Sequence, residues 1–145
     1  MKTELAESDA RIAAAAEVLL ELRPAFSKPA LIAQIHAQRR NGYQIACTEA
    51  DGRVLCVAGF VIGTKLAWGK HMYVDDLVTT QAHRSCGAGA NMLAWLKQHA
   101  RSLGCGQLHL DSGVQRFRAH RFYLREGFVI ASHHFSITDL VSDDG

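Results

Sequence analysis

The sequence predicts a single α/β domain over residues 1–145, built on a mixed, mostly antiparallel sheet flanked by helices. Three observations carry that expectation. Two helix-period stretches open the chain, an Asp51-Gly52 pair separates two β-rich runs, and a third extended run leads through glycines into another amphipathic helix. A length of 145 residues suits one domain with a real core.

The elements follow in order. Ser8 is placed to cap a helix whose apolar positions Ile12, Ala16, Leu19 and Leu22 recur at three- and four-residue steps, until Arg23-Pro24 interrupts it. Pro29 early and Asn41-Gly42 late frame a shorter second helix, with Leu31, Ile32 and Ile35 facing inward. Asp51-Gly52 is the strongest short hairpin signal in the chain. After a loop spanning Gly63 to Gly69, "HMYVDDLVT" reads as a third antiparallel strand. From Gly87 onward, Met92, Leu93, Leu96, Ala100 and Leu103 form one apolar stripe, and Gly104 and Gly106 bracket the exit from that helix. "QLHLDS" is then a short strand, "FRAHRFYLREG" a helix closed by Gly127, and "FVIASHHFSITDL" two further strand-like stretches.

Composition narrows the function classes. Apolar residues make up 48% and charged residues 21%, which excludes a disordered or fibrous chain. The formal charge is only +2 and the basic residues are scattered, so no nucleic-acid partner is expected. No apolar run approaches the ~18 residues of a membrane span, and the acidic start is unlike a secretory signal, which points to the cytoplasm and away from membranes. Cys47, Cys56, Cys86 and Cys105 have neither C-x-x-C nor metal-ligand spacing and read as buried free thiols. His133 and His134 are strand neighbours that face opposite ways, so no metal site is expected.

The glycine turn is the most informative stretch. A helix start presents N–H groups without backbone partners and partial positive charge, so a glycine-bearing entry can hold a phosphate group. The spacing is neither G-x-x-x-x-G-K-[ST] nor G-x-G-x-x-G. Arg84-Ser85-Cys86-Gly87-Ala88-Gly89 instead resembles the R-x-x-G-x-G acetyl-CoA signature of the GNAT superfamily of N-acetyltransferases. The strand ending "DDLVT" just upstream, "AHRFYLREGF" at 119–128 and the two closing strand-like runs fall where that family has them. The likeness covers residues 43 to 140.

The resemblance implies that backbone amides of Arg84, Ser85, Cys86, Gly87, Ala88, Gly89 and Ala90 cradle the pyrophosphate of acetyl-CoA. Val78 and Thr79 would pair with its pantetheine arm, in a slot between splayed strands. The family often has Asn seven residues before the tyrosine, where this chain has Arg116; an arginine could reach a phosphate instead. Cys86 reads as a small residue tolerated in the turn rather than a nucleophile.

Transfer to an amine needs a proton acceptor for the ammonium and a donor for the departing thiolate. Tyr123 aligns with the family's tyrosine beside the cofactor sulfur and is the expected donor. Strand alternation sends Asp75 and Asp76 to opposite faces, so only one can enter a given slot. Asp75 matches the carboxylate that draws the proton in several members, usually through water; Asp76 is left to bind the cationic acceptor or satisfy nearby backbone. Asp111 is a reserve candidate on the acceptor side, and Trp68 and Tyr73 could line an acceptor pocket. The expected reaction is acetyl transfer to a primary amine, a small metabolite first. A protein N-terminus or lysine, or a non-catalytic acyl-CoA sensor, are the alternatives. Family members commonly pair, so a homodimer is possible.

Overall fold

The computed structural model describes residues 1–141. Their contacts divide into two compact units, Met1–Leu110 and the chain from Asp111 onward. The first unit holds a five-stranded sheet in the order β1-β2-β3-β4-β5, with β1 Lys2–Leu5, β2 Gln44–Ala50, β3 Arg53–Lys65, β4 Gly69–Thr79 and β5 Gln107–Leu110. Neighbours run antiparallel except β4 and β5, which are parallel. Three helices accompany it: α1 Asp9–Leu22, α2 Lys28–Arg39 and α3 Ala88–Ser102.

Local chemistry sets the helix starts. The Ser8 hydroxyl accepts from the Arg11 N–H at 3.2 Å, and the Ser27 hydroxyl from the Ala30 N–H at 3.3 Å, with Pro29 in the first turn of α2. Asp51 and Gly52 both take positive φ, 53° and 74°, which gives the tight β2–β3 turn the right twist. β1 was not expected from the sequence: four residues alternate too briefly to declare a strand, and pairing with Ala46–Glu49 of β2 is what makes them one. β3 runs on to Lys65, so the expected loop shrinks to three residues.

Strand alternation gives the sheet two apolar faces. Ile12, Ala15, Ala16 and Leu19 of α1, with Leu31 and Ile35 of α2, pack on Tyr43, Ile45, Cys47, Val57 and Val78. The residues between these on the strands, among them Phe60, face the other way, where Phe60 meets Trp95 and His99 of α3 edge-on. Met92, Leu93 and Leu96 of α3 are fully buried, as the stripe predicted, whereas Leu103 ends the helix half out in solvent.

The second unit contains α4, Phe117–Arg125, closed by Gly127 at φ 97°. The strands expected in "FVIASHHFSITDL" do not form among the described residues. Alternation supplies an extended preference only; a strand also needs a ladder partner, and without one Val129, Ile130, Phe135, Ile137 and Leu140 stay largely exposed. Residues 142–145, the end of the expected 1–145 domain, lie outside the described residues.

Tyr43 lies flat over Gly59 of β3, where any Cβ would coincide with the tyrosine hydroxyl. Gly59→Ala should therefore displace the ring and lower the unfolding free energy by about 1–3 kcal/mol, the usual cost of overpacking a rigid site. Urea denaturation at constant m checks this, and a Tyr43→Phe background, which removes the colliding oxygen, should recover part of the loss.

Candidate active site

Strand β4 is paired on both sides only as far as Val74: β5 matches His71–Val74, while β3 continues alongside β4 to Thr79. From Asp75 to Thr79 no strand of the described residues pairs with the other side of β4. The main-chain groups on that side have no strand partner among the described residues and are available to an extended ligand, apart from the Asp75 carbonyl, which Arg23 reaches. Val78 and Thr79 lie in this one-sided stretch.

The register shifts where the two-sided pairing stops. Gly59 faces Asp76 and Phe60 faces Val74, so Asp75 is an extra residue opposite nothing. Tyr73 and Asp76 stand opposite Val61 and Gly59, which share a face of β3, although two residues lie between them on β4. The expectation that Asp75 and Asp76 lie on opposite faces assumed an unbroken pleat, and the extra residue interrupts the alternation at this point. Both carboxylates act on the Tyr43 phenol, whose proton is held by burial first and by Asp76 and Asp75 after it.

The two acids have different surroundings. The Tyr43 hydroxyl donates to Asp76 Oδ2 at 2.7 Å, and Arg23 donates to Asp76 Oδ1 from Nε at 3.0 Å and Nη2 at 2.8 Å. Arg23 Nη2 also reaches the Asp75 carbonyl at 3.4 Å. The Asp76 carboxylate thus bonds two side chains of the protein rather than the nearby backbone that the sequence offered it as one alternative to acceptor binding. Asp75 is exposed, and desolvation followed by the neighbouring Asp76 raises its pKa, against a smaller opposing effect of Arg23. Sequence reasoning missed Tyr43 and Arg23 as partners because they lie 33 and 53 residues from Asp76 and no spacing rule links them.

Beyond Thr79 a 3-10 turn, Gln81–His83, leads to the glycine turn. Among the described residues, no N–H from Arg84 to Ala90 donates to a backbone carbonyl; the first helical bond of α3 is Asn91 N–H to Gly87 O at 3.0 Å. Gly87 caps the helix at φ 89°, and Ser85 takes φ 69°, a conformation that costs a residue with a Cβ about 1 kcal/mol or more. A Cβ on Gly87 would meet no atom within 4 Å, so its absence serves the backbone conformation and leaves the amides uncovered. Arg84–Gly87 are exposed, Ala88 is buried, and Gly89 and Ala90 are half-buried, so a run of amides at a helix N-terminus with its leading part open to solvent fits a diphosphate. Cys86 is exposed in this turn, Cys105 is partly buried rather than buried as expected, and burial pushes the thiols of Cys47 and Cys56 up to about 12 and about 11.

The remaining candidates are placed as follows. Trp68 stacks on His109 at 3.5 Å between centroids, lies nearly parallel to Tyr73 at 6.3 Å, and carries the Lys65 ammonium 4.1 Å from its ring. In the second unit, Tyr123 is half-buried on α4 between Phe122 and Phe128, Arg116 is the exposed residue preceding α4, and Asp111 pairs with His134 at 3.1 Å. Among the described residues, no group of three or more His, Cys, Asp or Glu is arranged to hold a metal ion, and no helix is long and apolar enough to cross a membrane.

Comparison with known proteins agrees with this geometry. Residues 12–128 match the model of the Acetyltransferase (GNAT) family. The chain is 31% identical over 120 residues to a Bacillus subtilis (strain 168) protein named "Uncharacterized N-acetyltransferase YhdJ", covering 81% of this chain and 84% of that one. It is 37% identical over 65 residues to the aminoalkylphosphonate N-acetyltransferase of Salmonella typhimurium (strain LT2), covering 45% and 41% of the two chains. Among solved structures, the aminoglycoside N-acetyltransferase AAC(6')-Iy in complex with CoA shares the fold, with a TM-score of 0.81 over 97% of this chain and 96% of that one at 12% identity.

The raised pKa of Asp75 has a stability consequence. Between the unfolded carboxylate pKa and the higher folded one, the native state binds more protons, so stability falls as pH rises through that window. Asp75→Asn should be more stable than wild type at pH 7 and equal to it below about pH 4, where both side chains are neutral. Thermal denaturation across pH checks the sign; equal shifts at both pH values would refute it.

Proposed function

Given that the chain belongs to the acetyltransferase (GNAT) family, whose members draw on acetyl-CoA, we propose that it moves the acetyl group to a primary amine on a small metabolite by direct attack. The observation that carries this reading is the run of amides at residues 84–90 that, among the described residues, donate to no backbone carbonyl and that follow the one-sided part of β4. The amides hold the diphosphate, with Arg84 and Arg116 adding positive charge, and the free edge of Asp75–Thr79 pairs with the pantetheine amides along Val78 and Thr79. Acetyl-CoA supplies the activated carbonyl.

Asp75 takes the ammonium proton, directly or through water. Its exposure gives access, and its raised pKa brings a carboxylate nearer to the range where a base works well at neutral pH. Tyr123 supplies the proton that the departing thiolate needs. Trp68, with Tyr73, and Asp111 are assigned to the acceptor side. A small amine is put first because the Salmonella protein, 37% identical over 65 residues, is named for an aminoalkylphosphonate.

Thiol release from acetyl-CoA over a panel of amines tests the reading. Tyr123→Phe and Asp75→Asn are each expected to lower kcat by about 10²-fold or more, with CoA affinity unchanged, and Asp75→Asn should also remove the acid limb of the kcat/KM profile. Tight CoA binding without acceptor-dependent release would identify a sensor, and label from acetyl-CoA appearing on proteins of a lysate would identify a protein acetyltransferase.

A further inference from the structure

The turn at residues 84–90 contains no backbone bond of its own among the described residues, and two of its residues sit at positive φ. Its shape is therefore set at its ends. Downstream, the Thr3 hydroxyl donates to Asn91 Oδ1 at 2.6 Å and lies 2.6 Å from the hydroxyl of buried Thr48, fastening the first turn of α3 to β1 and β2. Upstream, the Thr80 N–H donates to the Leu55 carbonyl at 2.8 Å. Two further bonds meet there on one carboxylate: Glu21 Oε2 accepts from the Thr80 hydroxyl at 2.7 Å, and Oε1 accepts from the Gln81 N–H at 2.9 Å.

We propose that Glu21, in the last turn of α1, is the positioning residue of the cofactor turn, holding residues 80–81 so that the amides that follow are arranged before CoA arrives. The inference rests on the turn being the CoA site. Glu21 touches none of the proposed reacting groups; it acts through Thr80 and Gln81. Burial opposes its charge, but the Gln81 N–H, the Thr80 hydroxyl and the charge of Arg84 outweigh that and hold its carboxyl below the usual range, so the anchor is ionised at neutral pH. Hydrogen bonds to a charged group are worth more than neutral ones, and an acceptor with two donors restricts two consecutive residues at once.

The sign of the effect separates positioning from simple electrostatics. A carboxylate near a diphosphate repels it, so if charge alone mattered, Glu21→Gln would tighten CoA binding. A positioning role predicts the opposite, because arranging a loose turn then draws on binding energy. By calorimetry with CoA, Glu21→Gln is expected to raise Kd about tenfold, the scale of one charged hydrogen bond. The KM for acetyl-CoA should rise in parallel with kcat within about twofold.

Thr80→Val, which removes one donor and no charge, should weaken binding in the same direction, and the double variant should fall short of the product of the single effects, since both remove one bond. Arg23→Gln, on the same end of α1 but bonded to Asp75 and Asp76, should leave the CoA Kd within about twofold and move the acid limb of kcat/KM to higher pH, because Arg23 lowers the pKa of Asp75. Unchanged or tighter CoA binding in both Glu21→Gln and Thr80→Val, with wild type binding normally, overturns the assignment of Glu21 alone. Failure of wild type to bind CoA overturns the cofactor site, and this inference with it. If Glu21→Gln does not fold, Thr80→Val and its Kd decide the matter.

Discussion

A strand hydrogen-bonded on two sides has nothing left to offer a ligand, and β4 keeps that state only as far as Val74. One residue later the pairing with β5 has ended and an extra residue enters the pairing with β3. The proposed site depends on this change. The open side of β4 makes main-chain groups available without breaking the sheet, since β3 still holds the strand straight to Thr79. The extra residue also interrupts strict alternation between Asp75 and Asp76. Recognition by backbone and chemistry by side chain thus follow from one irregularity in one strand.

The strand end would be of little use if it moved. Its supports come from distant parts of the chain: Glu21 from the last turn of α1, Arg23 just after that helix, and Tyr43 just before β2. Packing makes this possible. α1 lies over β3 and β4 on a core of small and aliphatic residues, so the polar groups of its last turn reach the end of β4 at hydrogen-bonding distance. Tyr43 reaches Asp76 only because Gly59 leaves room beneath its ring. That glycine is a packing requirement; Gly87 is a conformational one, at φ 89° with open space where a side chain would go.

What the sequence made legible was whatever local chemistry decides. Ser8 as a cap, Pro29 early in the second helix, Asp51-Gly52 as a hairpin, the stripe from Met92 to Ala100 and the glycine entry at Gly87 were all readable, because each is settled within a few residues. β1 was missed and the strands after Gly127 were over-read for one reason: strand formation is decided by a partner, and periodicity does not reveal whether one exists. The bulge at Asp75 left no mark either, since it is a property of the match between two strands. Anchors such as Glu21 sit tens of residues from what they hold, in an ordinary amphipathic helix where a glutamate reads as a solvated residue.

The adjacency of Asp75 and Asp76 is more than a doubling of charge. Had both been left in solvent, each would titrate as an ordinary acid and neither would suit proton abstraction near neutral pH. Tyr43 and Arg23 fix the Asp76 carboxylate in place with three hydrogen bonds, next to a neighbour whose side chain has none of these partners. The negative charge held there adds to desolvation in raising the pKa of Asp75, while Arg23 restrains the rise. One acid spends its hydrogen-bonding capacity on the scaffold and in doing so sets the basicity of the other, a division of labour that pairs of carboxylates achieve wherever their environments differ. The exposed member is the one free to meet an acceptor.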